Sequence, residues 1–142
     1  MGQKTSTVWA FIEKHEGRRK KPYTDTLGVL TVGVGCNLSR GLTDAQIDAL
    51  YAVQLKTAAD DAKAWLGPHV FAHLTDARKT VLISMAFQFG ASRLAKFKKT
   101  RAALRAGDYD TTVAEMLDSK WAKSDSPRRA LNHARIMKKG SF

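Results

Sequence analysis

A glycine-punctuated segment from Tyr23 to Leu38 interrupts a chain that otherwise reads as helix, and this break sets the fold class. Gly28, Gly33 and Gly35 fall inside it. Val29-Leu30-Thr31-Val32-Gly33-Val34 is short and β-branched, and Asp25-Thr26-Leu27-Gly28 has turn chemistry. The pattern predicts a small antiparallel sheet of two or three strands. Before it, Val8, Phe11, Ile12 and His15 share one helical face, so residues 5–15 form a short helix, capped by Thr5 or Ser6 and ended by Gly17. After it, Thr43-Asp44-Ala45-Gln46 is a capping box that opens a long helix. Ile47, Leu50, Tyr51, Ala58, Ala62 and Trp65 mark its apolar stripe, and Gly67-Pro68 stops it. Such a helix is roughly 33 Å long, enough to join two lobes.

Everything further on is helical in pattern. Thr75 caps an apolar helix through Val81, Leu82, Met85, Ala86 and Phe89, ended by Gly90, which is the expected centre of the core. One or two short helices with a basic face span Ser92 to Ala106. Asp110 caps a helix carrying Val113, Met116, Leu117 and Trp121. Ser126-Pro127 opens the last helix, which Gly140 closes. The expected fold class is α+β, with residues 1–142 forming one domain. A β-containing lobe at about 17–42 leads through the helix at about 44–66 to a helical lobe at about 68–142, on which helix 5–15 packs.

One cysteine, Cys36, excludes an internal disulfide, and no cofactor or metal site is indicated. With 24 Lys and Arg against 13 Asp and Glu, the net charge is +11, which points to a polyanionic partner. No helix-turn-helix, zinc or ribonucleoprotein motif accompanies the charge, and the bases are spread, so a nucleic-acid-binding module is the weaker alternative. No run is long enough to span a membrane and no apolar signal core precedes the first helix.

The chemistry-bearing residues converge on one stretch. Glu16 sits at the C-terminal end of the first helix, where the dipole, helped by partial burial, favours a protonated carboxyl of the kind a general acid needs. Asp25 lies on a polar turn, where it stays ionised, and Thr31 offers a hydroxyl six residues on that could hold a water. Singly, each residue reads as a solvated helix end, a turn former and a strand residue.

Glu16-Gly17, Tyr23-x-Asp25-x-x-Gly28 and Thr31-x-Gly33-x-Gly35 together resemble the catalytic segment of the phage-type lysozymes, the endolysins of glycoside hydrolase family 24 found in the T-even coliphages. The likeness continues through Phe87-Gln88-x-Gly90, Ser119-x-Trp121 and Pro127-x-Arg129-Ala130. It implies a two-lobed lysozyme-like fold and hydrolysis of the β-1,4 bond between N-acetylmuramic acid and N-acetylglucosamine in peptidoglycan. Glu16 then protonates the glycosidic oxygen, while Asp25 and Thr31 position water on the opposite sugar face. That inverting arrangement calls for carboxyls roughly 6.5–9.5 Å apart.

The resemblance also implies substrate contacts at Phe87, Gln88 and Thr100, and active-site support from Tyr23, Trp121 and Arg129. Arg129 matches an arginine that pairs with the catalytic glutamate. That pairing favours the charged form of Glu16 and opposes the dipole, so the net shift stays open. Cys36 stands where the family often has histidine, and Asn37 and Glu115 also depart from its pattern. A lytic transglycosylase acting on the same bond is the alternative enzyme, against which the Asp25 and Thr31 pair argues. The expected partners are glycan strands and, through the basic C-terminal helix, anionic lipopolysaccharide. A monomer is expected, held in the host cytoplasm until a holin-type pore releases it to the periplasmic wall.

Overall fold

Local chemistry accounts for each element in the computed structural model, which describes residues 6–142. Helix α1 (Thr7–Glu16) starts at Ser6, whose hydroxyl accepts from the Trp9 N–H. Thr5, the other expected cap, lies outside the described residues. Glu13 ties the helix to the start of the sheet region, accepting from the Trp9 indole at 2.8 Å and from Arg18.

The sheet begins earlier than the expected Tyr23: Arg19, Lys20 and Lys21 open strand β1 (Arg19–Thr24). It pairs antiparallel with β2 (Leu30–Gly33), which pairs with β3 (Cys36–Asn37), in the order β1-β2-β3. An edge position explains why Pro22 and the lysines are tolerated, since an edge strand can lose a donor and charges there discourage stray pairing. The register slips between Arg19↔Gly33 and Tyr23↔Thr31, so the strand carries a bulge around the proline.

The chain divides into two compact units, one through Ala49 and one from Leu50 to Phe142. Helix α2 (Asp44–Leu66) runs from the first into the second. Its capping box forms as expected: Thr43 N–H donates to the Gln46 side chain at 2.9 Å, and Gln46 N–H donates to the Thr43 hydroxyl at 3.3 Å. The predicted stripe holds only in part. Ala58, Ala62 and Leu66 are buried, whereas Ile47, Leu50 and Tyr51 are exposed, because the early turns of α2 precede the core.

The second unit continues with α3 (Pro68–Ala72), α4 (Asp76–Leu94), α5 (Lys98–Arg105), α6 (Tyr109–Leu117) and α7 (Pro127–Lys139). A π-helical turn, Trp121–Asp125, lies between α6 and α7. Helix α4 is the predicted centre: Val81, Leu82, Met85, Ala86 and Phe89 are all buried, against Leu104, Met116, Trp121, Ala134 and Met137. Two caps differ from expectation. Asp108, not Asp110, caps α6, accepting from the Thr111 N–H at 3.0 Å. Pro127 does start α7, but the Ser126 hydroxyl serves Gln88 and makes no cap bond. Among the described residues no helix is long and apolar enough to cross a membrane.

Leu82 is fully buried. Its replacement by alanine is expected to lower unfolding free energy by about 2–5 kcal/mol, measured by urea denaturation.

Candidate active site

The first unit holds Glu16, Tyr23, Asp25 and Thr31. Pairing of Tyr23 with Thr31, extended by the Asp25 N–H bond to the Val29 carbonyl at 2.9 Å, defines a hairpin around the turn at residues 25–29. Strand alternation puts Tyr23, Asp25, Val29 and Thr31 on one face of it.

Asp25 is the organiser of the turn. Its Oδ1 accepts from the Leu27 N–H at 2.9 Å and from the Val29 N–H at 2.8 Å. Its main-chain carbonyl accepts from Gly28 N–H at 3.0 Å. Oδ2 takes no hydrogen bond among the described residues, so one carboxylate oxygen is anchored and the other remains able to accept from water. Thr31 is the buried residue of the sheet, 4% exposed. Its hydroxyl donates to the Val29 carbonyl at 3.0 Å, which commits its proton and leaves its lone pairs as acceptors. Tyr23 lies under the Arg19 guanidinium, 4.7 Å from the ring centroid.

Glu16 ends α1, and its side chain lies over Gly35. A Cβ built on Gly35 falls 2.7 Å from Glu16 Oε2 and 3.1 Å from its Cδ, so the bare glycine backbone is what admits the carboxyl. Glu16 is exposed rather than partly buried as expected. The sequence singles out Gly35 only as a turn residue. Nothing in the spacing reveals that a side chain nineteen positions away rests on it. Glu16 thus sits by the β2–β3 turn and Asp25 at the β1–β2 turn, with the four residues of β2, about 13 Å of rise, between the two turns.

The second unit holds Phe87, Gln88, Thr100, Trp121 and Arg129. Trp121 and Gln88 are brought together: the indole N–H donates to Gln88 Oε1 at 3.2 Å, and Gln88 Nε2 donates to the Ser126 hydroxyl at 3.0 Å. Trp121 also meets Phe89 and Phe97 edge-on, at 5.3 and 6.4 Å between centroids. Phe87 is exposed and touches the Tyr51 ring edge-on at 5.9 Å. Thr100 is 2% exposed, on the inner face of α5, whereas Gln88 is partly exposed and Phe87 exposed. Arg129 donates to the Ser84 carbonyl and hydroxyl. Ser84 and its second partner, His133, carried no sequence signal. Among the described residues no cluster of three or more potential metal ligands occurs.

Comparison with known proteins places the chain in a family. The chain is 26% identical, over 145 aligned residues, to the pre-baseplate central spike protein Gp5 of Enterobacteria phage T4. That alignment covers 82% of this chain and 25% of the relative, so the chain spans about a quarter of the length of the curated protein it matches. The phage lysozyme family matches residues 13–136, a span that takes in Glu16, Asp25 and Thr31 and runs into α7; the chain belongs to the phage lysozyme family.

Proposed function

We propose that the chain is a phage endolysin: a muramidase that hydrolyses the β-1,4 bond between N-acetylmuramic acid and N-acetylglucosamine. Membership of the family supports a lysozyme-like, peptidoglycan-cleaving function. The finer assignment is carried by one observation, the half-anchored carboxylate of Asp25 on the same hairpin face as Thr31. In this reading Glu16 gives its proton to the leaving glycosidic oxygen. A water donating to Asp25 Oδ2 and Thr31 Oγ1 attacks the anomeric carbon from the other side, with inversion, and gives up its proton to the Asp25 carboxylate. Phe87 and Gln88 contact sugar, and Tyr23, Trp121 and Arg129 support the site.

The same reading takes residues 1–142 as one catalytic domain. It takes the protein as a monomer released to the wall through a holin-type pore. The exposed bases Arg128, Arg135, Lys138 and Lys139 of α7 then meet anionic lipopolysaccharide.

Product analysis on purified peptidoglycan tests the chemistry. A hydrolase leaves reducing muramic ends, whereas anhydro sugar would establish the transglycosylase. Asp25→Asn adds a second arm: its amide oxygen can keep both turn hydrogen bonds, so the fold is expected to persist while hydrolysis falls about 10²-fold or more. Full activity in Asp25→Asn would reduce Asp25 to a turn former.

A further inference from the structure

One polar cluster of the second unit is unused by this mechanism. Ser84 lies on α4, and the half-buried His133 lies on α7 with its Nε2 2.8 Å from the Ser84 hydroxyl oxygen. Arg129, one turn earlier on α7, reaches the same serine, with Nη2 2.8 Å from the hydroxyl and 3.2 Å from the main-chain carbonyl. A guanidinium can only donate, so Ser84 Oγ accepts from it. The serine then has one proton to give, and the imidazole nitrogen at 2.8 Å is placed to receive it.

We propose that Ser84 and His133 are positioning residues for Arg129: a neutral imidazole, protonated on Nδ1, takes the serine proton in a hydrogen bond and turns the hydroxyl lone pairs onto the guanidinium. The proposal rests on the reading of Arg129 as an active-site support. Its physical content is a fixed polarity along a chain of three side chains. When the ring gains a second proton, Nε2 must donate. Ser84 Oγ then faces two cationic donors, its own proton needs another acceptor, and the guanidinium loses its anchor.

The surroundings favour the neutral ring. Burial, and then the charge of Arg129, hold the His133 pKa below its ordinary value of 6.5. The Trp121 ring packs edge-on against the imidazole at 5.5 Å and brings no charge. Of the charged groups on the elements packed against α7, Asp76 of α4 and Glu115 of α6 make no hydrogen bond to the ring, and others pair away from it. Arg78 of α4 donates to the Met137 and Lys138 carbonyls, Arg93 of α4 and Lys120 pair with Asp125, and Asp110 of α6 pairs with Lys138. His133 Nδ1 is buried and makes no hydrogen bond among the described residues. Because the folded ring binds its second proton less readily than the unfolded chain, acidification below pH 6.5 also costs stability.

The experiment combines nitrogen NMR of the imidazole with kinetics of Ser84→Ala, Ser84→Thr, His133→Phe and His133→Gln on purified peptidoglycan, each variant checked for folding. In the wild type Nε2 should be unprotonated at pH 7. Ser84→Ala and His133→Phe should each lower kcat about tenfold with little change in KM. Ser84→Thr, which keeps the hydroxyl, and His133→Gln, which keeps an acceptor, should recover most of that loss. In the wild type kcat should fall as His133 gains its second proton below pH 6.5, and His133→Gln should lack that fall. A protonated Nε2 at pH 7, or wild-type kcat and pH profile in folded Ser84→Ala and His133→Phe, overturns the proposal. A fully active Glu16→Gln would instead overturn the muramidase reading, and the NMR result would still decide the tautomer.

Discussion

Glu16→Gln is expected to lower hydrolysis of purified peptidoglycan by about 10²–10⁴-fold, the usual contribution of a positioned general acid. The glutamine matches the glutamate in shape and hydrogen-bonding reach but has no proton to give the departing sugar oxygen. Glu16 is the last residue of α1, exposed, and makes no described hydrogen bond that the fold depends on. Unfolding free energy should therefore change little, and the loss should fall on kcat. Reducing-end release and a urea melt on the same preparation separate the two quantities. A variant that folds normally and lyses the wall at the wild-type rate would remove Glu16 from the chemistry. A variant that loses both activity and stability would instead make Glu16 a structural residue.

Much of this arrangement is legible in the sequence, because local chemistry dictates it. The capping box at Thr43 and Gln46, the apolar α4, and the positions of Pro127 and Gly140 each need only near neighbours, and each forms as read. The Asp25-Thr26-Leu27-Gly28 turn is equally local, since the aspartate caps the amides two and four residues on. What escapes is set by competition or distance. Ser126 reads as a helix cap, but Gln88, 38 positions away, claims its hydroxyl. Lys20 and Lys21 lie ahead of the segment read as sheet, yet an edge strand accepts them because their side chains need no burial there. Thr100 is implied by the resemblance as a sugar contact, and the packing of α5 turns it inward. The meeting of Ser84, Arg129 and His133 requires α4 and α7 to be already packed, so no spacing rule announces it.

Gly35→Ala should separate the backbone from the carboxyl it carries. Gly35 has φ +68°, a conformation that costs an L-residue about 1–2 kcal/mol, and Gly33 has nearly the same value, +69°. The two differ in what an added methyl meets: nothing lies within 4 Å at Gly33, whereas at Gly35 the methyl falls 2.7 Å from Glu16 Oε2. The obstructed atom is the far end of a flexible side chain, so the glutamate can swing aside at small energetic cost. Gly33→Ala and Gly35→Ala should then show similar losses of unfolding free energy. Their activities should diverge, because a catalytic group displaced by about 1 Å can cost 10²-fold. The expected result is kcat in Gly35→Ala roughly 10²-fold below wild type, with Gly33→Ala much less affected. Equal losses of activity in the two variants would mean that turn strain alone governs the site and that the contact between Glu16 and Gly35 does not position the acid. The comparison therefore tests the placement of Glu16 without altering Glu16, which no substitution of the glutamate can do.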